Sequence, residues 1–146
     1  MRYKKPELIK QLERALLEQK RLKYPNIPDE CLAPITHTDK TANGLTKAII
    51  AFIKLRGGQA ERITSSGRVI QHRGRATYIP GTSTNGTADI SATIKGRSVK
   101  IEVKIGADRQ SPAQIAYQKA IEKAGGLYVI AKDFTTFCAW YRKMYN

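Results

Sequence analysis

The segment TADISATIKGRSVKIEVKI, residues 87–105, contains two runs in which apolar and polar residues alternate. Alternation with a period of two is typical of a β-strand that turns one face to the core. Between the two runs, KGRS at 95–98 has the composition of a tight turn. We therefore predict a β-hairpin with strands at 87–94 and 99–105, and the rest of the fold prediction is built around it.

The polar face of the predicted hairpin carries two acidic residues and a lysine. Asp89 lies near the end of the first strand that is far from the turn, and Glu102 and Lys104 lie near the matching end of the second. Two carboxylates and a main-chain carbonyl, such as that of Val103, are oxygen ligands that suit Mg²⁺. Lys104 would orient a water molecule or offset charge on a phosphate. The alternative is a solvated sheet face on which Glu102 and Lys104 form a weak surface pair.

Patterns on both sides of the hairpin predict further helices and strands. Segment 24–41 contains three prolines and no sustained period, which indicates an irregular connection. We predict helices at 6–23, 41–56, 111–126 and 133–145, a short strand within 59–67 and a short buried strand at 127–131. The last helix has aromatic residues at helical spacing, which we interpret as a core face: Phe134, Phe137, Trp140 and Tyr141.

The helix that follows the hairpin has a strong start signal. Ser111 is the predicted N-cap, Pro112 the first helical residue and Gln114 the third residue after the cap, as in a capping box. Gln114 is therefore the partner of Ser111 in that box, a polar residue of the acidic site, or both.

The net charge of +14, from 26 Lys and Arg against 12 Asp and Glu, indicates a polyanionic partner. Most of this charge lies after residue 40. The segment GRVIQHRGRATYIPGTSTNG, residues 67–86, is either a mobile loop or a hairpin. We expect Arg68, Arg73 and Arg75 in it to contact phosphates, because the guanidinium fork matches phosphate oxygens. Arg109, in the loop before the capped helix, either holds a phosphate or is a solvated loop residue.

Other classes of protein are disfavoured by the sequence. No run approaches the roughly 18 apolar residues of a membrane span, and the charged N-terminus lacks the apolar region of a secretory signal. We expect no membrane partner and a cytoplasmic location, in a bacterial or phage-infected host cell. Cys31 and Cys138 form no CxxC pair, so neither a disulfide framework nor a common zinc pattern is indicated.

The combined pattern resembles a known nuclease family. Asp89 followed after thirteen residues by Glu102-Val103-Lys104 is similar to the signature of the PD-(D/E)xK superfamily, and residues 57–132 resemble its virus-type replication-repair (VRR-NUC) branch. The resemblance implies an α/β fold with a restriction-endonuclease-like core, a mixed β-sheet flanked by helices and an N-terminal helical extension. On this basis residues 1–40 form an N-terminal helix with an irregular connection, and 41–146 form the nuclease-like domain.

The resemblance also implies roles for individual residues. The implied catalytic set is Asp89, Glu102, Lys104 and Gln114. The metal would be Mg²⁺, for which Mn²⁺ can substitute, held by Asp89, Glu102 and Val103. Arg62 stands where similar proteins often have an arginine, and we add it to the nucleic-acid-binding residues Arg68, Arg73, Arg75 and Arg109.

The sequence departs from the family pattern at two places. Ala88 precedes the acid where proline is common. In addition, the first core helix lacks the glutamate that many relatives place there, which leaves Asn43 and Thr46 as the nearby polar residues.

We expect a metal-dependent endonuclease that hydrolyses DNA phosphodiesters, is structure-selective, and serves phage or bacterial replication, repair or recombination. Similar stand-alone proteins are homodimers, which we expect here too. The alternatives are a Holliday-junction resolvase, which differs only in substrate, and a noncatalytic nucleic-acid-binding module.

Overall fold

The protein is described by a computed structural model that covers residues 2–64, 67–81 and 84–146. This part of the chain contains four helices and six strands, with a 3-10 turn at Asp29–Cys31 in the irregular connection. In chain order the elements are α1 (Glu7–Lys23), α2 (Ala42–Leu55), β1 (Gln59–Arg62), β2 (Arg68–His72), β3 (Arg75–Ile79), β4 (Ile90–Ile94), β5 (Arg97–Val103), α3 (Pro112–Lys123), β6 (Leu127–Ala131) and α4 (Phe134–Tyr145).

The main sheet has four strands in the order β1-β4-β5-β6. The pairs β1–β4 and β4–β5 are antiparallel. The pair β5–β6 is parallel, because α3 provides the crossover between these two strands. The predicted α/β architecture, a mixed sheet flanked by helices, is therefore confirmed. None of the helices in the described residues is both long and apolar enough to cross a membrane.

The hairpin predicted from residues 87–105 is present as β4 and β5. Lys95 and Gly96 form its two-residue turn, with φ of 48° and 79°, which is the left-handed backbone that matches the twist of a hairpin. Both strands are offset from the prediction, which placed them at 87–94 and 99–105. The two-residue turn allows pairing to begin at Arg97, and β4 begins only after Asp89.

The core lies between one face of the sheet and the helices α1, α2 and α4. Ile90, Ile101 and Ile49 are completely buried there. Phe52 of α2 meets the rings of α4 edge-on, at centroid distances of 5.0–6.1 Å, an arrangement that aromatic pairs favour. The predicted aromatic core face of the last helix is confirmed for Phe134, Phe137 and Tyr141, which are buried. Trp140, the fourth residue of that face, is half-buried.

The N-terminal helix packs on the same core. Ile9 and Leu12 of α1 are buried against α2 and α4. Asp39 connects the irregular segment to the last helix, since its Oδ2 accepts a hydrogen bond of 3.1 Å from the main-chain nitrogen of Phe134. Residues 1–40 thus contribute to the core, and the predicted boundary at residue 40 stays a prediction.

The strand predicted at 127–131 is confirmed with these bounds as β6, but its predicted burial is wrong. The sequence LYVIA is apolar throughout, but β6 is an edge strand and Ala131 is its single buried residue. The helix that covers this edge is α3, and none of its residues is buried. An apolar run of five residues predicts a strand, but it does not predict whether that strand is central or at the edge of the sheet.

The segment 67–86 contains a hairpin, which decides between the two predicted alternatives. Strands β2 and β3 form a separate two-stranded ribbon, and Arg73 and Gly74 make its turn with φ of 49° and 76°. Residues 82 and 83 of this segment, and residues 65 and 66 of the predicted strand segment 59–67, lie outside the described residues.

Candidate active site

The register of β4 and β5 brings the two predicted acids together. Ile90 pairs with Ile101, so one step further from the turn Asp89 comes opposite Glu102. In an antiparallel pair, residues that face each other point to the same side of the sheet. Both carboxylates line one open cleft, as the sequence predicted.

Asp89 is fixed from two sides. Its carbonyl accepts a hydrogen bond of 2.8 Å from the main-chain nitrogen of Ile63, which extends the pairing of β1 and β4 by one residue. Its Oδ2 accepts a second bond, also 2.8 Å, from the main-chain nitrogen of Val103. The carboxylate is therefore held against the end of β5, and its other oxygen is not used in that bond.

Glu102 is buried, with 2 % of its surface exposed. Its Oε1 accepts a hydrogen bond of 2.8 Å from Nε2 of Gln114 and lies 3.3 Å from Nζ of Lys104. Its Oε2 is also buried, and no donor within the described residues reaches it. The alternative of a solvated surface pair is wrong, because α3 covers this face and removes Glu102 from water.

The pKa of Glu102 reflects this position. Burial, the largest cause, and the negative charge of Asp89 together raise it from 4.5 to about 7, although Lys104 acts to lower it. A carboxylate deprived of water and placed beside a second carboxylate favours its protonated form. A cation bound at the two acids would have the opposite effect.

Lys104 lies between two carboxylates. It is 7 % exposed, and its Nζ is 3.3 Å from Oε1 of Glu102 and 3.5 Å from Oδ2 of Asp108. Asp108 had no assigned role in the sequence analysis. The signal for it was weak, since the contact depends on the turn at 105–108, in which the nitrogen of Asp108 donates to the carbonyl of Ile105.

Gln114 fills both of the roles that the sequence left open, and it does so with different atoms. Its Oε1 accepts from the main-chain nitrogen of Ser111 at 2.9 Å, which completes the capping box. Its Nε2 donates to Glu102. The start of α3 is thus coupled to the acid pair through one side chain.

Gly86 brings the loop before Asp89 close to the same helix start. Its φ is +77°, and a Cβ at this position would collide with the main-chain carbonyl of Ala113 and lie 2.7 Å from the nitrogen of Gln114. Glycine is the residue that fits here, because the obstacle is helix backbone and not the flexible end of a side chain.

The N-terminal end of α2 forms the opposite wall of the cleft, which has a volume of about 380 Å³. Arg62 donates a hydrogen bond of 2.6 Å to Oδ1 of Asn43, a pair that the sequence analysis did not anticipate. The cleft is lined by Ala42, Asn43, Thr46, Arg62, Ile63, Asp89, Glu102, Val103, Lys104, Asp108 and Gln114.

The remaining predicted arginines lie outside this cleft, as far as the described residues show. Arg68, Arg73 and Arg75 are exposed on the β2–β3 hairpin. Arg109 is exposed and lines a neighbouring depression with Ile115. The structure therefore brings together the predicted catalytic set and Arg62 and places the three hairpin arginines elsewhere, whereas Arg109 shares its depression with Lys104.

The donor set suits a hard cation with few protein ligands. Within the described residues, no group of three or more His, Cys, Asp and Glu could hold a metal ion. Asp89 and Glu102 supply two carboxylates and Val103 lines the cleft beside them. Mg²⁺ commonly binds to one or two carboxylates and keeps several water molecules, so the residues present fit that ion.

No protein-family model matches the sequence, and a comparison with curated proteins found no significant match.

Proposed function

We propose that the protein is a metal-dependent DNA endonuclease, with a restriction-endonuclease-like core of the VRR-NUC type, that hydrolyses phosphodiester bonds in structured DNA. One observation carries this proposal. Glu102 is buried beside Asp89, and its Oε2 has no donor within the described residues. Burying a carboxylate without a partner for each oxygen costs free energy, and such unpaired atoms are concentrated at functional sites.

Asp89, Glu102 and the carbonyl of Val103 would hold Mg²⁺, with Mn²⁺ as a substitute. When bound, such an ion polarises the phosphodiester and lowers the pKa of a water molecule. Asp89 is positioned for this at the cleft by its bond to the nitrogen of Val103, which fixes one oxygen and does not use the other. Glu102 must be deprotonated to bind a cation, so metal binding releases its proton at neutral pH.

Lys104 and Gln114 supply the polar groups around the acids. The ammonium group of Lys104 is already held 3.3 Å from Glu102, so little ordering is needed for it to stabilise negative charge that develops on a phosphate. Gln114 orients Glu102 through Nε2. Arg62, held by Asn43 at the rim of the cleft, is positioned to contact a neighbouring phosphate.

The substrate class follows from charge. A net charge of +14 favours a polyanion through counterion release. By resemblance we propose structured or nicked DNA, including Holliday junctions. By resemblance we also propose a homodimer that cuts one strand per site, and a location in the cytoplasm of a bacterial or phage-infected cell.

The test is cleavage of labelled junction, flap, nicked, duplex and single-stranded DNA, with Mg²⁺, Mn²⁺ or EDTA. We expect metal-dependent cleavage, and a loss of about a thousandfold for both Glu102→Gln and Lys104→Met. Lys54→Met, at the far end of α2, is the matched control for removal of one positive charge and should retain activity. DNA affinity measured in EDTA should survive in all three variants.

A noncatalytic nucleic-acid-binding module is the second candidate. It is favoured by the first turn of α2, which has no acidic residue and presents Asn43 and Thr46 to the cleft, so that this helix adds no carboxylate to Asp89 and Glu102. Calorimetric titration with Mg²⁺ and Mn²⁺ decides between the candidates. Strong DNA binding with no metal binding and no cleavage of any substrate would favour the module and sink the nuclease proposal.

A further inference from the structure

We propose that the β2–β3 hairpin is a duplex-reading ribbon that places one of its faces in the major groove of B-form DNA beside the active-site cleft. This deepens the proposed function and rests on it for the meaning of the cleft, but the binding mode itself can be measured without cleavage.

The β2–β3 hairpin is inserted in the chain between β1 and β4, and β4 begins next to Asp89. The chain leaves the sheet after β1 and returns at Asp89, and the hydrogen bond from the nitrogen of Ile63 to the carbonyl of Asp89 closes this insertion. The ribbon is therefore tethered to the strand end at which Asp89 lies.

The ribbon has little to support it in the protein. All ten residues of β2 and β3 are exposed, among them Ile70 and Ile79, which expose 37 % and 41 % of their surface. A two-stranded hairpin in water is marginally stable on its own. Exposed apolar side chains on such a ribbon stabilise a complex in which a partner covers them, and they therefore indicate a binding surface.

The register divides the ribbon into two unlike faces. Arg68 pairs with Ile79 and His72 pairs with Arg75, so these residues share one side. The basic face consists of Arg68, Ile70, His72, Arg75, Thr77 and Ile79. The uncharged face consists of Val69, Gln71, Ala76 and Tyr78. Arg73 stands at the turn, and residues 63–88 contain no acidic residue, so the field around the ribbon is positive throughout.

The dimensions and chemistry of the basic face select double-stranded DNA. Strands of five residues span about 17 Å, and a two-stranded ribbon fits the major groove, which is roughly 12 Å wide, and not the minor groove of roughly 6 Å. Arginine can bond guanine O6 and N7 or phosphates there, and aliphatic groups can contact thymine methyls. The major groove of an RNA duplex is too narrow and deep for this.

Single-stranded nucleic acid fits the same face poorly. Surfaces that bind single strands place several aromatic side chains in a row, on which successive bases stack. Among the six residues of the basic face His72 is the one aromatic ring, and Tyr78 is on the uncharged face. The arrangement therefore favours paired over unpaired bases.

The experiment compares the two faces in the full-length protein, in EDTA, so that cleavage plays no part. We expect Arg68→Ala/Arg75→Ala to weaken binding to duplex DNA about tenfold or more. The matched variant Val69→Thr/Gln71→Ala, on the uncharged face of the same ribbon, should bind within about twofold of the parent. Equal losses in both variants would show that the ribbon matters only through its folding and would overturn the proposal.

Methylation by dimethyl sulfate identifies the groove, because it modifies guanine N7 in the major groove and adenine N3 in the minor groove. We expect the parent to protect guanine N7, and the basic-face variant to lose that protection at concentrations that saturate binding. Protection of adenine N3 instead, or tighter binding to RNA duplex or single strands, overturns the ribbon assignment. If the protein cleaves DNA but the hairpin variants bind it normally, this inference is wrong and the nuclease proposal stands. If binding depends on the hairpin but no substrate is cleaved, the nuclease proposal is wrong and this inference stands.

Discussion

The acid cluster and the β2–β3 hairpin lie close in the chain but are built in opposite ways. Asp89, Glu102 and Lys104 each have at least one hydrogen bond or ion pair of 3.3 Å or less within the protein. The hairpin residues are all exposed, and the ribbon is stabilised mainly by its own pairing. A group that acts on a phosphate must be held in position before the substrate arrives, whereas a surface that follows a DNA groove can adjust to it on binding.

Two glycines, one in each region, show the same difference in packing. Gly86 and Gly74 have nearly the same left-handed backbone, with φ of 77° and 76°. A Cβ on Gly86 would collide with the backbone of α3, whereas one on Gly74 would meet no described atom within 4 Å. The same substitution therefore tests how tightly each region is packed.

The largest effect is expected for Gly86→Ala. We expect a loss of about 3 kcal/mol in the free energy of unfolding, because the new methyl group must displace the start of α3 as well as adopt an unfavourable φ. Since the helix start carries Gln114, cleavage should fall as well. Denaturant unfolding and single-turnover cleavage measure the two effects.

Gly74→Ala is the control with matched backbone. It should cost about 1 kcal/mol within the ribbon and leave the midpoint of global unfolding unchanged, because local opening of an exposed hairpin does not disturb the core. If both substitutions lower the midpoint equally, the ribbon is part of the cooperative core and the contrast between the regions is wrong.

The sequence predicted the acid pair because local rules determine it. Alternation assigned Asp89, Glu102 and Lys104 to one face, and a two-residue turn at Lys95 and Gly96 set the register that makes Asp89 and Glu102 neighbours. The helix starts followed from capping residues for the same reason, since each cap acts over three residues of chain.

Features that depend on packing between distant segments could not be predicted. The burial of Glu102 requires α3 to lie over it, and the exposure of β6 depends on the order of strands in the sheet. The hairpin was left undecided because both of its strands are exposed on both faces, so no alternation with a buried side marks them. The pair Lys104 and Asp108 depends on a turn whose geometry the sequence did not specify.

A medium effect is expected for the pH dependence of stability in the metal-free protein. The pKa of Glu102 is raised to about 7 in the folded protein from 4.5, so the folded state binds the proton more tightly than the unfolded state. The stability from this group is complete below pH 4.5 and is lost as the pH rises through about 7. We expect the loss between about pH 5 and pH 8 to be on the order of 2 kcal/mol.

Glu102→Gln isolates this contribution, because the amide has almost the same shape and does not titrate. The variant should match the parent near pH 5 and be more stable than it near pH 8, by the amount that the parent loses. Saturating Mg²⁺ should remove the difference by stabilising the parent and not the variant. A parent protein whose stability is flat between these pH values would mean that Glu102 is not a buried acid, and the contrast with the exposed ribbon would lose its basis.

The smallest effect separates the two bonds of Gln114. Ser111→Ala removes the hydroxyl that caps α3 but keeps the main-chain nitrogen that holds Oε1 of Gln114, so it should cost about 1 kcal/mol of stability with cleavage unchanged. Gln114→Ala should cost a similar amount and also slow cleavage about tenfold, because Glu102 loses the donor that orients it. Measured under single-turnover conditions with saturating Mg²⁺, equal slowing in both variants would reduce Gln114 to a helix cap. Slowing in Gln114→Ala alone would show that the start of α3 is a fixed part of the acid site, in contrast to the ribbon, whose ten strand residues are all exposed.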